Sequence, residues 1–321
     1  MSFFLFSEEH TVAQVLLSKM VKSSFGSALL GLGLAASSVA TFVLALSSRK
    51  ESTAENTNLR RRLGLIDPHT IEFKGKGGLL CPASRMLRVD ASTTLPSFIE
   101  SVFHALNKAS IDDRPISFLP AHYDTFASVP GGFWVEFGVF RGNTLEAAHA
   151  NLSKQQKFTG TIAGFDSFEG LPEDWLRHFK AGSFGEQKDL FTMVRKRLPD
   201  EIELHKGWFQ DTIPAFLTAH PEEPAAVVHL DGDLFVSATI PLSTLDERII
   251  PGTHLIFDEL ILYPDYQKHE IMSLWLWMKQ RHGVTLCAMG HKGKIDIGRK
   301  TLDPNEFYDQ AMQSAWFQVI S

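Results

Sequence analysis

Two short apolar runs end in residues suited to holding a ligand by its amine and its hydroxyls. The first closes in Val135-Glu136-Phe137-Gly138-Val139-Phe140-Arg141-Gly142, with Asn143-Thr144 opening a helix behind it. Gly138 and Gly142 permit a tight turn and close backbone approach, and the helix N-terminus adds unpaired amide donors. A dinucleotide fold places pyrophosphate here, but the three-glycine fingerprint is incomplete and Glu136 stands inside the turn. A carboxylate there suits a cationic, amine-bearing ligand better than a phosphate. The plain alternative is a strand-to-helix turn without a ligand. The second run ends in Gly164-Phe165-Asp166-Ser167-Phe168-Glu169-Gly170-Leu171-Pro172. An acidic residue at the tip of a second strand can accept both hydroxyls of a ribose, and Asp166 is the candidate. Its alternative role is N-cap of a short helix expected near Pro172–Phe179.

The elements that must position these turns alternate strictly beyond Pro130. Phe133–Phe137, Thr161–Phe165, Glu201–Lys206, Ala225–Leu230 and His254–Phe257 read as buried strands, with amphipathic helices expected over Thr144–Leu152, Leu190–Leu198, Ile213–Ala219, Ile240–Ile249 and His269–Arg281. Such alternation predicts an α/β, doubly wound, mostly parallel sheet. The tail breaks the rhythm: Val284–Met289 and Lys294–Ile297, separated by Gly290-His291-Lys292-Gly293, read as a hairpin. Pro96–Ala109 reads as a leading helix packed on the main domain.

Four motifs occur in the order seen in the macrocin O-methyltransferase-like family of class I S-adenosylmethionine-dependent methyltransferases, which this chain resembles. They are Gly164 to Trp175 (GFDSFEGLPEDW), Lys206 to Thr212 (KGWFQDT), His229 to Phe235 (HLDGDLF) and Phe257 to Leu260 (FDEL). The match runs from Val135 to Glu270. It departs from the commoner pattern at Phe235, where Tyr is usual, at Ser237-Ala238-Thr239, where a Ser-Thr pair is usual, and at Glu259, where many members carry a second Asp. The resemblance implies a seven-stranded class I sheet ending in an antiparallel strand. It also implies a site divided in two. Glu136, Gly138, Gly142, Asp166 and Ser167 would hold the methionine and ribose parts of S-adenosylmethionine, with Gly207, Trp208 and Asp211 near the adenine; Trp208 as a core residue is the equal alternative. Asp231, Asp258 and Glu259 would coordinate Mg2+, an ion that takes hard oxygen ligands. The cation would favour ionisation of a substrate hydroxyl while a base takes its proton, with Asp233 the first candidate and His269 the second, although helix capping or surface solvation is the commoner role for a histidine so placed. His229, inside an apolar strand, reads as a core histidine. The acceptor implied is a small hydroxylated molecule or sugar, and residues Asp174–Lys188 and Ile66–Val129 would select it.

Composition narrows the rivals. Of 321 residues 44% are hydrophobic, and 31 Lys and Arg stand against 37 Asp and Glu, so the net charge of −6 supplies no field to draw in nucleic acid. Cys81 and Cys287 lie far apart without a paired-Cys motif, which suggests neither a disulfide framework nor a zinc site. From Ser23 to Ser48 no residue is charged, long enough for a transmembrane helix. The organisation expected is an N-terminal tail over 1–24, a membrane span over 25–48, a polar linker over 49–65, a helical or irregular extension over 66–130 and a methyltransferase domain over 131–321. A cleaved signal or an organelle presequence is the alternative to a retained span. Arg49, Lys50 and Arg60-Arg61-Arg62 after the span place the domain in the cytosol by the positive-inside tendency. Association with further copies is left open. A membrane-anchored glycosyltransferase using Asp231-Gly232-Asp233 as its metal motif is the rival enzyme, and a non-catalytic binding module on a membrane the rival class; the rich set of carboxylates argues against the latter.

Overall fold

The computed structural model describes residues 81–112, 123–127, 129–154, 158–185, 187–292 and 314–321. The expected tail, span and linker, the start of the extension and the Lys294–Ile297 arm lie outside them. Among the described residues no helix is long and apolar enough to cross a membrane.

The strands are β1 (Met86–Arg88), β2 (Ser110–Asp112), β3 (Phe133–Phe137), β4 (Ile162–Asp166), β5 (Ile202–Lys206), β6 (Ala225–Leu230), β7 (His254–Phe257), β8 (Thr285–Lys292) and β9 (Ala315–Val319). The helices are α1 (Leu95–Leu106), α2 (Tyr123–Phe126), α3 (Asn143–Leu152), α4 (Leu190–Arg197), α5 (Phe209–Ala219), α6 (Phe235–Thr244) and α7 (Glu270–Gln280). All strands join one sheet in the order β1-β8-β9-β7-β6-β3-β4-β5, with β2 also paired to β8. Strands β5, β4, β3, β6 and β7 are parallel, and β9 runs antiparallel between β7 and β8. This is the seven-stranded class I methyltransferase arrangement, extended at one edge by β1 and β2. Every residue of β3, β6 and β7 is buried, as a central parallel strand covered on both faces requires.

Strand parity divides the core. Phe133, Val135 and Phe137 pack on one face with Phe216, Leu242 and Trp277. Trp134 packs on the other with Tyr123, Leu145 and Val194. The chain winds outward from β3 through β4 to β5 and returns at β6, so β3 and β6 are neighbours whose following loops diverge. Ligands of open α/β sheets bind in the crevice so formed.

Four expectations shift. The helices expected to start at Ile213 and Ile240, each one residue before a proline, start at Phe209 and Phe235 and carry Pro214 and Pro241 inside. The expected turn at Gly290-His291-Lys292 is part of β8, whose antiparallel partners among the described residues are β1 and β9, while the expected return arm lies outside those residues. Residues 172–179 fold as turns, without the expected short helix. Cys81 and Cys287 form a disulfide with Cα atoms 5.8 Å apart, tying the segment before β1 to β8. A separation of 206 residues left no local spacing from which to read it. Helix α1 starts as expected, Thr94 and Ser97 exchanging side-chain and backbone hydrogen bonds in a capping box.

Candidate active site

The turn after β3 is fixed by close packing. Gly138 has φ +100°, and a Cβ there would lie 1.7 Å from the carbonyl oxygen of Asp231, so only glycine lets the β3 and β6 loops meet. Gly142, at φ +75°, precedes α3, and a Cβ there would meet the Val194 and Leu198 side chains at 3.2 Å.

Asp166 clasps this turn. Its Oδ2 accepts from the Val139 and Phe140 amides at 2.9 and 2.8 Å, and its Oδ1 from the Phe168 amide at 2.6 Å. A carboxylate offers about four acceptor positions, so roughly one remains, on Oδ1. As placed, Asp166 has room for one ribose hydroxyl rather than the two expected of it. Ser167, beside it, accepts from the Glu169 amide at 3.1 Å. Residues 180–185 then fold back on 169–171: the Leu171 amide donates to Ser183 at 2.9 Å and the Gly182 amide to Leu171 at 2.8 Å.

These loops enclose a cavity of about 700 Å³. Gly138, Asp166, Ser167 and Trp208 line it together with Asp231, Asp233 and Glu259 and the rings of Trp175, Phe179 and Phe184. Trp208 belongs to the cavity and to neither core cluster. Glu136, Gly142, Gly207, Asp211, Asp258 and His269 do not line it. Gly207 supports the site indirectly, its amide donating to the Asp166 carbonyl at 2.9 Å. Asp211 sits exposed in the first turn of α5.

Strand register explains where Glu136 goes. It pairs with His229 across β3 and β6, and both are buried on the Trp134 face. His229 Nδ1 lies 3.1 Å from Glu136 Oε2, and its Nε2 lies 4.0 Å from Asp258 Oδ1. Glu136 is therefore bound to His229 instead of the cavity, a correction to its expected contact with the ligand's amine. Burial pushes its carboxyl up, against the opposing pull of His229. His229 is a core histidine, as expected, but one that bridges toward a carboxylate of the site.

Asp231, Asp258 and Glu259 each offer an oxygen within 4.8 Å of the others'. Backbone pairing sets this up: the Asp231 amide donates to Phe137 and the Asp258 amide to Leu230, both at 2.9 Å, holding the ends of β3, β6 and β7 level. Burial, then neighbouring carboxylates, raise Asp231 and Glu259 well above the usual carboxylate range. Asp233, held at φ +62°, is pushed up to about 8 by burial and by Asp258. His269 is the N-cap residue of α7, buried against the Tyr263 ring at 6.0 Å. Away from the cavity it is not placed to take a proton from a bound acceptor, so Asp233 stands alone as base candidate. Glu270, which the motifs did not single out, is fully buried in the same group. Its one sequence signal, an acid opening an otherwise apolar helix, reads equally as a helix-dipole partner.

The arrangement joins a glycine turn clasped by a carboxylate to a cluster of hard oxygen donors, two of which, Asp231 and Glu259, line the same cavity. The model of the Macrocin-O-methyltransferase (TylF) family matches residues 124–285, half of the chain. The 8-demethyl-8-(2,3-dimethoxy-alpha-L-rhamnosyl)-tetracenomycin-C 4'-O-methyltransferase of Streptomyces olivaceus is 32% identical over 144 residues, 41% of this chain and 53% of that protein. The demethyldecarbamoylnovobiocin O-methyltransferase of Streptomyces niveus is 29% identical over 150 residues, 43% and 55% respectively. The chain thus spans about half the length of these curated relatives. The calicheamicin methyltransferase CalS11 is similar in structure with a TM-score of 0.46, at 20% identity, over 62% of this chain and 76% of that one. By its matched residues, the chain belongs to the Macrocin-O-methyltransferase (TylF) family.

Proposed function

We propose that the protein is an S-adenosylmethionine-dependent O-methyltransferase acting on a hydroxyl of a small molecule or sugar, with a divalent cation, Mg2+, at Asp231, Asp258 and Glu259. The observation that carries this is a single cavity lined both by Gly138 and Asp166 and by Asp231 and Glu259 of the carboxylate cluster. Its volume of about 700 Å³ is of the size that small-molecule sites have. The names of the relatives, a rhamnosyl-tetracenomycin-C 4'-O-methyltransferase and a demethyldecarbamoylnovobiocin O-methyltransferase, favour a small-molecule acceptor, and the first a glycosylated one. Family membership favours this reading over the membrane-anchored glycosyltransferase, which rests on Asp231-Gly232-Asp233 behind the N-terminal apolar run.

The donor set fits a hard divalent cation. Three carboxylates converge, Glu259 Oε2 is buried without a hydrogen-bond partner, and burial, with mutual repulsion added to it, raises the Asp231 and Glu259 carboxyls, as expected of a site built for a positive charge. When bound, the cation would supply charge that stabilises the ionising acceptor oxygen, and S-adenosylmethionine would supply the methyl group. Asp233 accepts the hydroxyl proton. Its pKa of about 8 leaves it mostly protonated at neutral pH unless positive charge lies nearby, so base strength and cation binding are linked. Trp175, Phe179 and Phe184 pack the acceptor's apolar faces and exclude water, while the Asp166-held turn orients the methyl donor.

The test is label transfer from methyl-labelled S-adenosylmethionine to a panel of hydroxylated small molecules and glycosides. Transfer that chelator stops and Mg2+ restores, and that Asp258→Asn lacks despite intact S-adenosylhomocysteine binding, supports the reading. Full activity in chelator would leave these carboxylates as substrate-hydroxyl ligands.

A membrane tether through residues 25–48 is also proposed. The Cys81–Cys287 bridge favours an oxidising compartment for the domain over the cytosolic side expected from the basic residues, because disulfides persist where thiols are not kept reduced. Protease protection of the domain in sealed membranes supports the oxidising side, and digestion from the cytosolic face refutes it.

A further inference from the structure

Glu270 begins α7 and is 0% exposed, yet neither carboxylate oxygen has a hydrogen-bond partner. No Lys, Arg or His among the described residues forms an ion pair with it. The groups that face it are acidic: Asp233 and Asp258 act on it, and it acts in turn on Asp231 and Glu259. The Glu259 amide also faces it, outside full hydrogen-bond geometry. The Tyr263 hydroxyl lies near enough to feel its charge and itself faces Trp175, outside full hydrogen-bond geometry. A buried carboxylate among other carboxylates is costly in every respect except one, that a positive charge arrives in the working state.

That charge is not taken up by Glu270 as a direct ligand. The oxygens that converge within 4.8 Å belong to Asp231, Asp258 and Glu259; Glu270 is not among them, although its charge is felt by Asp231 and Glu259. Mg2+ keeps several waters when protein-bound, and carboxylates one layer out accept hydrogen bonds from them and hold the inner ligands in place. Resting on the cation reading given above, we propose that Glu270 is an outer carboxylate of the cation centre, satisfied only through the divalent ion and the water it carries. It is a positioning residue: it touches neither the acceptor nor the methyl donor and does not line the cavity.

The test compares Glu270→Gln with the wild-type chain in two measurements that need no acceptor. Calorimetric titration with Mn2+ or Mg2+ should show an affinity at least about tenfold weaker in the variant, the scale on which outer-shell changes act. Thermal melting of the chelated proteins should show the variant more stable than wild type, because one repelling charge is gone, with a smaller upward shift on adding the ion. Glu270→Met, apolar and of similar length, should behave the same way and covers the case in which the amide fails to fold. Unchanged ion affinity, or a chelated variant no more stable than wild type, overturns the assignment of Glu270. If the wild-type chain binds neither ion, the cation reading itself falls, and this inference with it. S-adenosylhomocysteine binding should be the same in all three proteins and reports separately on the adenosyl part of the cavity.

Discussion

Asp166→Asn separates two roles of one carboxylate. In the structure Oδ2 takes two amides of the Gly138 turn and Oδ1 takes the Phe168 amide. An asparagine can keep Val139 and Phe140 on its single oxygen, but its NH2 then faces the Phe168 N–H, donor against donor, where 2.6 Å now separates donor and acceptor. One charge-assisted bond is lost, worth about 1.5–3 kcal/mol, and two others fall to neutral strength at about 0.5 kcal/mol each. The total is about 3 kcal/mol, which for a domain of this size lowers Tm by roughly 6–12 °C. With about one acceptor position left for a ribose hydroxyl, direct loss of that bond weakens S-adenosylhomocysteine binding by about tenfold or more. The assay is a thermal melt beside calorimetric titration at fixed salt and pH. If Asp166 served the ligand alone, affinity would drop at constant Tm; an unchanged melt would refute the clasp.

Gly138→Ala should lose the native melt and S-adenosylhomocysteine binding together, because its Cβ would sit 1.7 Å from backbone oxygen, whereas Gly131→Ala, also at positive φ but with open space around it, should cost only about 1 kcal/mol. Unfolded protein should expose no free thiol until reductant is added, and reduction should remove up to about 5 kcal/mol, the chain-entropy estimate for a very long loop; two reactive thiols in the untreated chain would contradict the bridge. Asp231, Glu259 and Glu270 are raised and Asp233 stands at about 8, so these groups bind more protons folded than unfolded. Their contribution to the stability of the chelated protein is full below the ordinary carboxylate range near pH 4 and declines as pH rises through about 8. Melts from pH 5 to 9 should show this decline, and Mg2+ should flatten it; stability that climbs with pH in chelator would count against the clustered acids.

The sheet was legible because its central strands are unbroken apolar runs. Phe133–Phe137, Ala225–Leu230 and His254–Phe257 were expected at the bounds observed. Prolines misled: placing Pro214 and Pro241 in a first turn moved two helix starts too late, since packing of Phe209 and Phe235 outweighs an interior proline's missing donor. A glycine turn was expected at Gly290 because local chemistry favours it, yet pairing with β9, 25 residues onward from Gly290 to Ala315, keeps the strand going. The carboxylates of the site were legible by type and order, and three of them do converge. Their partners were not. Glu136 turns away from the cavity because register sets it opposite His229, and the Cys81–Cys287 bridge and the burial of Glu270 are likewise products of distant pairing that no local spacing encodes.

The central claim is that the cavity lined by Gly138 and Asp166 takes an adenosyl ligand, and the most direct measurement is calorimetric titration of the purified chain with S-adenosylhomocysteine beside a series of nucleotide diphosphates. Saturable binding of one S-adenosylhomocysteine per chain, weakened in Asp166→Asn and retained in Asp258→Asn, is the predicted result. Absence of that binding while a nucleotide diphosphate binds in a manner sensitive to Asp258→Asn would contradict it and restore the nucleotide-sugar reading of Asp231-Gly232-Asp233.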